Sequence, residues 1–137
     1  MQNINIEELT QRAVEMGKKA ANVDLDFTKE SLDNVDLIVI QTKGLFEKHV
    51  IDEEAVWNVS VFMGLYCGEV FLKDSLQEKG FGWEKNSDNI PVLKTADGLS
   101  VIDPISKIYK IISQLDDEEK VSIKEYYEIF LILINFS

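Results

Sequence analysis

The chain of 137 residues has one cysteine, one histidine and two prolines. A lone cysteine, Cys67, excludes an intrachain disulfide, which fits a reducing compartment such as the cytoplasm. One cysteine and one histidine, His49, are too few for a metal site built from His/Cys clusters. There is no phosphate-cradling glycine loop. Positive charge is scarce as well, with 14 basic residues against 25 acidic ones and a net charge of −11. With no Lys/Arg-rich run, such a surface repels a nucleic-acid backbone and an anionic membrane alike. The most apolar stretch, 55–72, is interrupted by Asn58, Ser60, Gly64, Gly68 and Glu69. A membrane span needs about 20 consecutive apolar residues, so this stretch reads as a buried helix of a soluble protein. The first eight residues lack the basic and apolar regions of a signal peptide. These absences lead to the expectation of a cytoplasmic protein with no cofactor, no nucleic-acid partner and no membrane.

What is present predicts an α+β domain over 1–137. The apolar share is 45%, enough for a core. At this length folding buries roughly 65–70% of the unfolded surface, so no staple is required. Ile6, Leu9, Ala13, Met16 and Ala20 recur at helical spacing after a capping Asn5. A second helix is expected from Thr28, with Leu32, Val35, Val39, Thr42 and Phe46 inward and an end or bend near Gly44. Phe27 and Leu32 have the spacing of a hydrophobic staple, as do Ile51 and Val56 around the third cap, Asp52. The third helix, uncharged from Ala55 to Gly68, is expected in the centre and stops at Gly80. Three short strands follow at 81–84, 90–95 and 99–102, the last two joined by a two-residue Asp97-Gly98 turn. Asp103-Pro104 starts a helix whose stripe is Ile105, Ile108, Ile112 and Leu115. Residues 116–119 form an acidic loop. Ser122 and Glu125 make a capping box, with Val121 and Tyr126 as its staple, for a last helix that turns Tyr126, Phe130, Leu133 and Ile134 inward. The architecture is therefore three N-terminal helices, a small three-stranded antiparallel sheet and two C-terminal helices.

Few residues offer chemistry. Cys67 and His49 stand 18 residues apart, on different expected elements. A thiol in the most apolar stretch is expected to be inert packing. Gly64 and Gly68 form a small-residue pair that lets neighbouring atoms approach the third helix closely. Glu69 is sharper, because it follows fourteen uncharged residues. A carboxylate there needs a partner, and Lys73, a tyrosine hydroxyl or the Trp83 indole are the candidates. Acidic residues cluster at 24–36, at 52–54 and at 116–119, without the spacing of a calcium loop. Asp33, Asp36, Glu53 and Glu54 are the candidate contacts with a basic protein. The terminal run 129–136 is apolar on every side, which points to a groove in the protein's own core or to a second copy.

The segment Leu25-Asp26-Phe27-Thr28, continuing through Ser31-Leu32 to Val35-Asp36, resembles a pattern L-D-[FY]-[ST]-x-x-S-L-x-x-[LV]-D of small bacterial proteins of unknown function. Gly64-Leu65-Tyr66-Cys67-Gly68-Glu69-Val70 matches their helical G-x-Y-x-G-E-V, and Gly82-Trp83 and a proline-led helix follow in the same order. The likeness spans about 25–110 and leaves out the final apolar helix. It implies an α+β fold and transfers no activity, although some similar small acidic proteins are immunity partners of toxins. The expectation is a non-enzymatic module that binds a basic protein through its acidic surface, in its sharpest form an immunity-type inhibitor. Two alternatives are a ligand-binding or catalytic pocket around Tyr66, Glu69 and Trp83, and a homodimer through the C-terminal helix.

Overall fold

The computed structural model describes residues 5–113 and 122–135. Helix α1, Ile6–Ala21, begins at Asn5, whose side chain accepts the Glu8 amide. A short 3-10 turn, Lys29–Ser31, is capped by Thr28 and leads into α2, Leu32–Glu47. Helix α3, Glu53–Phe71, is capped by Asp52, which accepts the Ala55 amide at 2.9 Å, and it continues through a π-helical turn, Leu72–Leu76. Strands β1 (Phe81–Lys85), β2 (Pro91–Thr95) and β3 (Val101–Ile102) make one antiparallel sheet in the order β1-β2-β3. Trp83 pairs with Leu93, and Leu93 pairs in turn with Ile102. Helix α4, Pro104–Ser113, starts at Asp103, and α5, Ile123–Asn135, starts at Ser122. The fold is α+β, with the helices and the sheet in the expected order.

Helix α3 is the axis of the core. It packs on α1, α2 and α4 and touches β2. Val56, Met63, Leu65, Tyr66, Cys67, Val70 and Phe71 are fully buried along it. By length and composition the helix Glu53–Leu76 could cross a membrane, yet over half of its most apolar window is buried inside this molecule. Gly64 faces α4, where a Cβ would stand 2.6 Å from the Ile105 Cα. The two backbones therefore meet at a point that admits no side chain.

Five local expectations are corrected. Ala20 is exposed; the buried face of α1 is Thr10, Ala13 and Gly17. Asn22 reverses the chain in a left-handed conformation, and Leu25 returns over Gly17, where a Cβ would lie 2.9 Å from its Cδ1. Helix α2 passes through Gly44 to Glu47 without stopping, because packing outweighs a propensity deficit of about 1 kcal/mol. The second helix opens with a 3-10 turn before its α-helical part. The β2–β3 connection is longer than two residues. Gly98 closes a turn on the Thr95 carbonyl at 2.9 Å, Thr95 pairs with Ser100, and Asp97 accepts the Thr95 hydroxyl and the Leu99 amide. In α5, Leu133 is 62% exposed, whereas Ile123 and Tyr127 are buried. The residues Leu115, 116–119, Val121 and Phe136 lie outside the described residues.

Candidate functional site

The three stretches singled out in the sequence, 25–36, 64–70 and 82–83, meet on one side of α3. Gly68 makes the meeting possible. A Cβ there would overlap the Trp83 ring, so only glycine lets the indole lie against the helix. The indole N–H then reaches Glu69 and donates to its Oε2 at 3.1 Å. This helix-to-sheet bond orients a carboxylate that is only partly buried.

The opposite wall is built by Tyr66. Its hydroxyl accepts the Phe27 amide at 2.8 Å and is 2.7 Å from Ser31 Oγ. Ser31 donates to the Thr28 carbonyl at 2.6 Å, so the Tyr66 hydroxyl is the donor to Ser31. The chain of donors is closed, with no buried side-chain atom left unpaired among the described residues. Burial raises the Tyr66 pKa above the ordinary phenol value and keeps it a donor. Phe27 is held at φ +64°, and its ring packs on Tyr66 at 4.9 Å. A bulky residue in this region stores about 1–3 kcal/mol of strain and persists only where its surroundings enforce it. Asp26, which accepts the Thr28 amide and hydroxyl, fixes the next turn, and these bonds hold its carboxyl below the usual range.

Between these walls is an open groove of about 530 Å³ lined by Phe27, Glu69, Leu72, Lys73, Gln77, Phe81, Gly82 and Trp83. Glu69 and Trp83 line it as expected from the sequence. Tyr66 does not; it is fully buried behind Phe27 and acts on the groove only through that residue. The Tyr66→Phe variant should leave the Phe27 amide unpaired and lose about 1–3 kcal/mol of stability in urea unfolding. An unchanged midpoint would show that the hydroxyl does not hold this wall. Phe27, Leu72, Gln77 and Phe81 also line it, and their positions in the sequence do not mark them for that role. The one local signal was the four-residue spacing of Glu69, Lys73 and Gln77, which aligns them on a helix.

The four acidic candidates fall into two places. Asp33 is exposed and 3.6 Å from Lys124 of α5. Asp36 is used inside the molecule, where it accepts the Ile123 amide at 2.8 Å and caps α5. Glu53 and Glu54 begin α3, and Glu53 accepts the Tyr109 hydroxyl at 3.0 Å. Asp33 and Asp36 thus stand in the first turns of α2, beside the start of α5, whereas Glu53 and Glu54 stand at the start of α3. Desolvation raises the Asp36 pKa despite its bonds to the Ile123 and Lys124 amides. A carboxyl whose folded pKa is raised contributes stability below its unfolded pKa and loses it as pH rises through the folded value. Asp36→Asn keeps an acceptor without the charge. Its stability relative to wild type should therefore rise from acid to neutral pH, as thermal melts across that range would show.

Cys67 and His49 are not brought together. Cys67 is fully buried, which pushes its thiol pKa well up, whereas His49 is exposed on the α2–α3 connection at φ +60°. Among the described residues no group of three or more His, Cys, Asp and Glu stands where it could hold a metal. A second polar cluster joins α5 to the π-helical turn. Tyr127 donates to Asp74 at 2.6 Å, bonds Ser75 at 2.7 Å and stacks on Phe71 with ring centroids 4.2 Å apart. No protein-family model, curated protein or solved structure matches the chain.

Proposed function

We propose that the protein is a non-enzymatic binding module of the cytoplasm that engages a basic protein partner through the groove beside Glu69. The observation that carries this reading is the groove itself, an open site with the half-buried Phe27 and Trp83 and a fixed carboxylate in a chain of net charge −11. Long-range attraction would speed encounter, and the aromatic groove would supply affinity. The acids at 33, 53 and 54 contribute to the field without forming the contact. The likeness of 25–36 and 64–70 to small bacterial proteins suggests an immunity-type inhibitor of a basic toxin as the sharpest form. The immobilised protein should recover a basic protein from its native cytoplasm at low salt and release it at high salt. Recovery of none would refute the reading.

A second reading, a homodimer through α5, is favoured by one observation. Ile129, Ile132 and Leu133 stand 48%, 56% and 62% exposed on that helix. Light scattering on wild type and on the Ile132→Glu/Leu133→Glu variant tests it. A dimer that the charges dissociate supports it, and a wild-type monomer rejects it.

A further inference from the structure

Glu69 offers more than its bond to Trp83. Its Oε2 accepts the indole N–H, while Oε1 has no hydrogen-bond partner among the described residues. The same groove carries the half-buried rings of Phe27 and Trp83, while Phe81 beside them is buried and packs edge-on against Phe130. Aromatic rings present negative faces, and a carboxylate among them favours a cation over an anion or an alkyl chain. An anion would face Glu69, and an alkyl chain would desolvate that carboxylate with no donor to satisfy it. Lys73 lines the groove one helical turn further on, and no ion pair joins it to Glu69 among the described residues. Glu69 therefore enters no ion pair among the described residues, and its Oε1 is open to a donor.

We propose that the groove seats an arginine side chain of the partner, its guanidinium donating to Glu69 Oε1 and stacking between Phe27 and Trp83. Guanidinium is favoured over ammonium for two reasons. It is planar and weakly hydrated, so it stacks on aromatic rings in a half-open groove. Its fixed fork can also bond a carboxylate while leaving the indole N–H in place. The walls are ready for it. Gly68 seats the indole, the indole orients the carboxylate, and the buried Tyr66 hydroxyl holds Phe27 in its left-handed conformation. This inference rests on the reading of the protein as a binding module and names the group that module recognises.

The test uses the whole chain with Trp57→Phe, so that Trp83 is the only indole. Nα-acetyl-arginine amide is titrated against its emission, with acetyl-norleucine amide and acetyl-glutamate amide as the uncharged and anionic probes. Arginine should give a saturable change at about millimolar concentration, as expected for a ligand of this size. Glu69→Gln should weaken it about tenfold or more, and Phe27→Leu should weaken it severalfold, both with thermal melts that show a folded chain. An equal response to norleucine, a response to glutamate, or unchanged arginine binding by Glu69→Gln would overturn the proposal. Partner capture separates the two levels. Salt-sensitive capture by wild type with no arginine response removes the seat and leaves the binding module. Loss of capture by wild type removes the module.

Discussion

Phe71→Ala should lower stability by about 3–5 kcal/mol, the range for truncating a fully buried phenylalanine. Phe71 is the last residue of α3, fully buried, and its ring lies parallel to Tyr127 with an interplanar angle of 2°. Truncation removes the stack and opens a space under α5. It also loosens the π-helical turn, because Tyr127 is the residue that bonds Asp74 and Ser75 there. A domain of ordinary stability has only about 5–15 kcal/mol to lose. The melting temperature should fall by roughly 15 °C. A loss under about 1 kcal/mol would mean that α5 does not pack on the end of α3.

Gly64→Val should cost about 3 kcal/mol or more, at the upper end of overpacking effects. The atoms in the way are the Ile105 Cα and N, 2.6 and 2.8 Å from a Cβ, so no rotamer change relieves the clash. Helix α4 cannot withdraw freely. Pro104 starts it directly after β3, whose Ile102 pairs with Leu93, and Asp103 caps it through the Ser106 amide. Gly44 provides the control. Nothing stands within 4 Å of a Cβ there. Gly44→Ala should gain about 0.5–1 kcal/mol from helix propensity alone. Urea unfolding of both variants measures the contrast, and similar effects at the two glycines would contradict the α3–α4 contact.

The helix starts were legible because their caps are local. Asn5, Asp52, Asp103 and Ser122 each bond an amide three residues ahead. The central place of α3 followed from its lack of charge. The length of the β2–β3 loop was less visible, because Asp97-Gly98 suits a two-residue turn and a longer one equally well. What the sequence could not show were the long-range partners. Asp36 looked like an exposed contact residue and instead caps a helix 87 positions away. Tyr66 looked like a pocket residue and instead supports one, through Phe27, 39 positions away. The bond between Glu69 and Trp83 was among the candidates, since a carboxylate after fourteen uncharged residues needs a donor and few were at hand.

The two tryptophans report on the two acidic regions separately. Trp57 lies one turn from Glu53 and packs edge-on against Tyr109 at 5.5 Å, whereas Trp83 lines the groove. The most direct test of groove recognition is the proton–nitrogen spectrum of the indole N–H groups during titration with a Gly-Arg repeat peptide. The Trp83 indole resonance should shift progressively while that of Trp57 stays in place. A shift confined to Trp57 would move recognition to the start of α3, and an unmoved pair would contradict binding of basic chains at the groove.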